Sequence, residues 1–409
     1  MKSLVQTLRA LTKSASSRFA RTPAAARWLC LAAIVLSALG VTLLPPVQSQ
    51  DRNFAGSVQA SYLYVHDSKF EARDRALDGF ITEMSAKLAV DFSDHISTNV
   101  KICFSCHGFE LGMAYIDLTI VDEARFRVGR FSPSFGDFQL RHDPANHRTV
   151  DKPLAYDMGR MLRLREWNLG ILPAPYVDNG IEFGGTHWFG TAVQFDYAAY
   201  AMGGLRGNSD AQDIDWIQQR SGSAYYIDNN SRPSMGGRVS LTLDLTDQDM
   251  TFTAGASGMG GWYDPKAELS YAIGGVDLYA RFKRIELRAE YLLRRTEMFI
   301  GDDPGSRFKY GPGKDGKYDR HFLKDGFYVE AIVPVAPRVE IVGRWDGLRR
   351  FGNVPVNSAL RKESAVIRYT LGGDVSLGYG VRIKAFAEYY DFSDFDDEIA
   401  ATLAVVSVL

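Results

Sequence analysis

Cys103, Phe104, Ser105, Cys106 and His107 stand consecutively. Cys-x-x-Cys-His is the pattern in which two thiols add to the vinyl groups of a haem and the adjacent imidazole ligates its iron. On that chemistry one covalent haem c would hang from Cys103 and Cys106 with His107 as axial ligand, and His142 or His147 could supply the second axial nitrogen. The same pair can instead close a Cys103–Cys106 disulfide in an oxidising compartment. The residues leave both chemistries open, and no other cofactor is called for.

A second set of chemically able residues lies between 133 and 178. Arg141, Arg148, Lys152, Arg160, Arg163 and Arg165 face Asp137, Asp143, Asp151, Asp157 and Glu166, so the stretch is slightly basic. It is too long to be a passive connector. Guanidinium groups on such a loop can line a constriction and lower the barrier to anions, or they can pair with nearby acids and with carboxylates such as Glu286 and Glu340. Enzyme chemistry is not indicated: there is no Gly-x-Ser-x-Gly elbow, no His-Glu-x-x-His and no phosphate-binding glycine loop. The remaining histidines, His66, His95, His187 and His321, are scattered.

The elements that must carry these residues alternate with a period of two. Ile285, Leu287, Ala289, Tyr291 and Leu293 interleave with Glu286, Arg288, Glu290 and Arg294; Val239, Leu241, Leu243 and Leu245 interleave with Ser240, Thr242 and Asp244. Such strands have one apolar and one polar face. On this pattern Val100, Ile102 and Phe104 face outward, which sends Lys101 and Cys103 inward. About sixteen strands can be placed between residues 53 and 409. Their connections sort by parity: short links near 93–95, 121–124, 188–190, 246–249, 282–284, 335–337 and 377–379 lie between long ones at 66–78, 133–178, 204–235, 297–325 and 347–363. A soluble sandwich has no reason to sort loops this way, whereas a transmembrane antiparallel β-barrel puts short turns at its periplasmic end and long loops outside. Aromatics such as Trp188, Trp345 and Tyr379 fall near strand ends, where an interfacial girdle would place them.

The first 49 residues differ from the rest. They hold six bases and no acid, then an apolar run over 28–44 and a small-residue exit at Ser49, the order of an export signal. The expected organisation is a cleaved signal at 1–49 and one outer-membrane barrel domain at 50–409. Beyond the signal 41 bases face 49 acids, a formal charge of −8, so nucleic acid is not an expected partner.

The run Phe126, Arg127, Val128, Gly129, Arg130, Phe131, Ser132, Pro133, Ser134, Phe135, Gly136 resembles the strand-and-loop signature of the phosphate-selective porin O and P family. In that family a Val-Gly pair, a Phe, then Pro, Phe and Gly open the loop that folds into the pore. The resemblance implies a homotrimer of sixteen-stranded barrels in the bacterial outer membrane that pass small, anionic solutes. Ser132 stands where family members commonly carry a base, so phosphate preference does not follow. The Cys-x-x-Cys-His run is similar in part to cytochrome–porin fusions, but there the haem motif precedes the barrel. The expectation is therefore a porin contacting outer-membrane lipid and lipopolysaccharide. The alternative is a haem-bearing barrel, which would need a periplasmic cytochrome, because one haem cannot bridge an apolar band of about 25 Å.

Overall fold

The computed structural model describes residues 51–66, 80–105, 108–157, 170–207, 214, 228–298, 310–311, 317, 319–352, 354–355 and 363–408. The proposed signal at 1–49 lies outside them. The strands are β1 (Asp51–His66), β2 (Phe80–Ser93), β3 (Ile96–Ser105), β4 (Gly108–Val121), β5 (Ala124–Phe131), β6 (Asp178–Phe189), β7 (Val193–Met202), β8 (Ser234–Leu245) and β9 (Met250–Trp262). They continue with β10 (Ser270–Phe282), β11 (Ile285–Glu297), β12 (Tyr310–Gly311), β13 (His321–Ala336), β14 (Val339–Phe351), β15 (Val354–Pro355), β16 (Glu363–Gly378), β17 (Val381–Phe392) and β18 (Glu398–Val408). Sixteen of them form a closed antiparallel barrel, in which β1 pairs with β18 from Ser57↔Val408 to His66↔Ile399; β12 and β15 form a separate two-residue ribbon. Closure leaves no strand edge unpaired, the condition for a sheet in lipid.

The two faces differ as the period-two pattern requires. Outward-pointing Val239, Leu241, Leu278, Leu287, Leu371 and Leu403 are exposed, whereas inward-pointing Glu290, Arg294, Arg344, Asp346, Arg368, Lys384 and Glu388 are buried. An exposed apolar belt around a polar, buried interior is the arrangement of an outer-membrane barrel. No described helix is long and apolar enough to cross a membrane; the crossing is made by strands.

All seven links at one end are short, such as Lys283–Arg284 between β10 and β11. Residue 283 takes a φ of 54° there, and Asp249 and Tyr379 take 49° and 52° in the equivalent turns. In an outer-membrane barrel the end with short turns faces the periplasm. The other end carries the long loops with two departures: β3 and β4 pair as far as Ser105↔Gly108 and leave only residues 106–107 between them, and β17 and β18 are joined by the five residues 393–397. Several strands outrun the ranges their alternation suggests: β13 begins at His321 rather than near 326, and β14 continues to Phe351. Above the membrane both faces meet water, so the apolar-polar alternation fades while the ladder hydrogen bonds persist.

Candidate pore constriction

Of the loop that follows β5, the described residues 132–157 and 170–177 fold into the lumen and make a packed centre: Phe135, Leu154, Ala155, Tyr156, Ile171 and Leu172 are fully buried. Two glycines of the 126–136 run make its entry geometry. A Cβ on Gly129, where φ is 133°, would stand 2.4 Å from the Ala114 carbonyl oxygen on the neighbouring strand; on Gly136, where φ is 62°, it would meet the Tyr156 hydroxyl at 2.5 Å and Glu290 Oε2 at 2.9 Å. The bare backbone at 136 therefore lets the loop approach Glu290 closely.

Glu290, on β11, is the hub of the first half of the loop. Its Oε1 accepts the backbone N–H groups of Asp137 at 3.0 Å and Phe138 at 2.6 Å and the Tyr328 hydroxyl at 3.0 Å, while Oε2 accepts the Tyr156 hydroxyl. Beside it Asp137 bridges Arg141, at 2.6 Å, and Arg288 of β11, at 2.9 Å. Burial alone would raise the Asp137 carboxyl, but the two guanidinium groups hold it below the usual carboxylate range.

The second half is gripped by the neighbouring wall strands β14, β16 and β17, which follow β13 in the barrel order. Arg344 of β14 donates to Thr149 Oγ1 at 2.6 Å and to the Asp151 carbonyl at 2.9 Å. Lys384 of β17 donates to the carbonyls of Pro144 and His147, both at 2.7 Å. Arg368 of β16 reaches the Lys152 carbonyl at 2.6 Å and forks onto Asp346, whose Oδ2 also accepts the Leu154 N–H at 2.7 Å. Wall bases thus bind loop carbonyls and wall acids bind loop N–H groups. Charge-assisted bonds of this kind are roughly twice as strong as neutral ones.

Three of the bases that the sequence offers to anions are described, and each of these is engaged. Arg141 pairs with Asp137, Arg148 pairs with Glu340 at 2.7 Å, and Lys152 donates to the Ala174 carbonyl at 2.6 Å. Arg160, Arg163 and Arg165 lie outside the described residues, as do Cys106 and His107. Cys103 faces the lumen: its Sγ packs on Gly112, which is skipped in the β3–β4 register, and a Cβ at 112 would come within 2.9 Å of it. His142 has both ring nitrogens occupied, with Nδ1 on the Gln139 carbonyl at 2.6 Å and Nε2 accepting from Lys101 at 2.9 Å. Burial, then Lys101, push its imidazole down to about 4. His147 is buried against Phe138, with ring centroids 5.7 Å apart. Burial and the cations Lys384, Lys152, Arg344 and Arg141 hold it well below its usual value. Serving as an iron ligand would require His142 to give up one of its two bonds.

The residues that sequence reasoning missed are the wall partners Tyr328, Asp346, Arg368 and Lys384, together with Tyr156 of the loop. Strand parity marks the wall residues as inward-pointing, but nothing in one sequence says which of them the loop will meet.

On the periplasmic side of the loop the lumen opens into a cavity of about 280 Å³ lined by Arg281, Lys283, Arg284, Arg338 and Arg382 with Glu286, Glu340 and Asp374. The carboxylates are taken, by Arg288, Arg148 and Arg382 respectively. Arg284 and Arg338 have no acidic partner among the described residues.

No family model matches the chain, and no curated protein matches it. Solved structures share its fold. In-vitro folded OmpT, an outer membrane protein of Vibrio cholerae, is 8% identical with a TM-score of 0.52 over 90% of this chain and 100% of that one. The outer membrane channel DcaP of Acinetobacter baumannii is 12% identical with a TM-score of 0.51, covering 90% of this chain and 100% of its own. An anion-selective porin from Comamonas acidovorans is 11% identical with a TM-score of 0.50, covering 88% and 100%. At such identities the likeness is one of fold. The chain is a sixteen-stranded antiparallel β-barrel of the bacterial outer membrane, built on the architecture of the porins.

Proposed function

We propose that this protein is a porin through which small solutes diffuse passively, with anions favoured. The observation that carries the proposal is the loop between β5 and β6, whose described residues 132–157 and 170–177 fold into a polar lumen and are bonded to Glu290 of β11, to Asp346, Arg368 and Lys384 of β14, β16 and β17, and on the opposite side to Lys101 of β3. A loop so placed narrows a polar-lined barrel. The preference for anions rests on the periplasmic mouth, where Lys283, Arg284 and Arg338 exceed the unengaged acids, rather than on Arg141 and Arg148, which are paired with acids, or Lys152, which is bonded to the Ala174 carbonyl. A cationic mouth raises the local concentration of anions. The chain is further proposed to be exported through residues 1–49 and to assemble as a homotrimer, as the trimer form of Vibrio cholerae OmpT does.

Reversal potentials across a salt gradient test the preference. The protein in planar bilayers is expected to be mildly anion-selective, and a double Arg284→Glu, Arg338→Glu variant is expected to move the potential toward cation selectivity. A cation-selective parent, or a variant with an unchanged potential, would overturn the assignment of selectivity to this mouth.

A further inference from the structure

At the extracellular rim the barrel presents a charged pocket to the outside rather than to the lumen. The ladder sets Ser270 opposite Trp262, Ala272 opposite Arg295, and Glu297 opposite His321, so these side chains share the outward face of β9, β10, β11 and β13. Small side chains at 270 and 272 leave room there. The result is a cavity of about 380 Å³ lined by Ser270, Ala272, Arg295, Glu297, Arg320 and His321.

Its charges do not cancel. Glu297 is fully engaged: Oε1 accepts two bonds from Arg320, at 3.0 and 2.7 Å, and Oε2 accepts the Ser270 hydroxyl at 2.9 Å. Arg295 is exposed and donates to His321 Nε2 at 2.7 Å. Because a guanidinium can only donate, that imidazole is a neutral acceptor and brings no compensating charge. Among the described residues no carboxylate pairs with Arg295. On the same rim Arg232 stacks over Trp262 at 4.8 Å, and Arg349 holds Asp325 at 2.8 Å. Immediately toward the membrane the face turns apolar, with Leu293, Val276 and Leu278 exposed.

We infer that this pocket binds the phosphate of a phosphorylated lipid headgroup in the outer leaflet, with Arg295 as the principal contact. An arginine facing the lipid is tolerated where strands meet the interface, and its planar fork matches phosphate oxygens. The pocket opens sideways above an apolar belt, so a lipid presents its phosphate here while its chains lie along Leu293 and Val276. A free anion gains nothing from that belt.

Native mass spectrometry of the full protein in detergent tests this, with diphosphorylated lipid A, its dephosphorylated form and inorganic phosphate as probes. The phosphorylated lipid is expected to be retained about tenfold better than the dephosphorylated one. Arg295→Gln is expected to abolish most of that difference and Arg295→Lys to keep part of it, in barrels whose folding is checked by the heat-dependent gel shift. Inorganic phosphate at the lipid's concentration is expected not to compete. Equal retention of the two lipids by the parent protein would overturn the inference even if no variant folds, as would unchanged retention by folded Arg295→Gln. Displacement by inorganic phosphate would make this a free-anion site and would equally overturn it.

Discussion

Two buried histidines make the loop sensitive to acid. His142 is flanked by Lys101 of β3, Asp143 and Lys152; His147 is flanked by Lys384 of β17, Arg344 of β14, Lys152 and Arg141. Both are neutral when the loop is docked, and His142 is held at about 4 against the usual 6.5. The docked loop therefore binds fewer protons than an undocked one. Its attachment is at full strength above about pH 6.5 and weakens as pH falls toward 4. Single-channel recordings at pH 7.5 and 4.5 are expected to show larger, noisier currents at the lower pH, and His142→Gln is expected to reduce the difference. Identical current noise at both pH values would show that these imidazoles do not report on docking. The sequence displays both histidines but not their surroundings: as letters, a haem ligand and a buried neutral imidazole look the same.

The strands were the most legible elements. Alternation alone places Lys101 and Cys103 inward and Phe104 outward, and the structure has Lys101 bonded to the inserted loop and Phe104 exposed. Legibility ends where both faces meet water, hence the unforeseen length of β13 and β14. Leu371 lies near the middle of β16 and is exposed on the outer face. Leu371→Arg is expected to cost about 2–4 kcal/mol of folding free energy, the range for an arginine at the bilayer midplane. Urea titration of refolding into lipid vesicles measures it, and a cost near zero would mean that this face of β16 does not contact hydrocarbon.

At the scale of the whole molecule the barrel follows from parity of faces and of loop lengths, both of which are local. The placement of the loop is not local. Glu290 meets Asp137 and Phe138 from more than 150 positions away, and Lys384 meets His147 from 237. Length and composition mark 132–177 as a functional loop, yet they cannot show that its described bases Arg141, Arg148 and Lys152 are spent on its own acids and carbonyls and on the wall. The central claim is that this loop, held inside the lumen, sets the bore of an otherwise open barrel. It is tested most directly by single-channel conductance of the protein beside a variant in which residues 138–172 are replaced by a short Gly-Ser link. A small, uniform conductance for the parent and one several-fold larger for the variant is the expected result. Equal conductance in the two would contradict the claim, because the bore would then be set elsewhere.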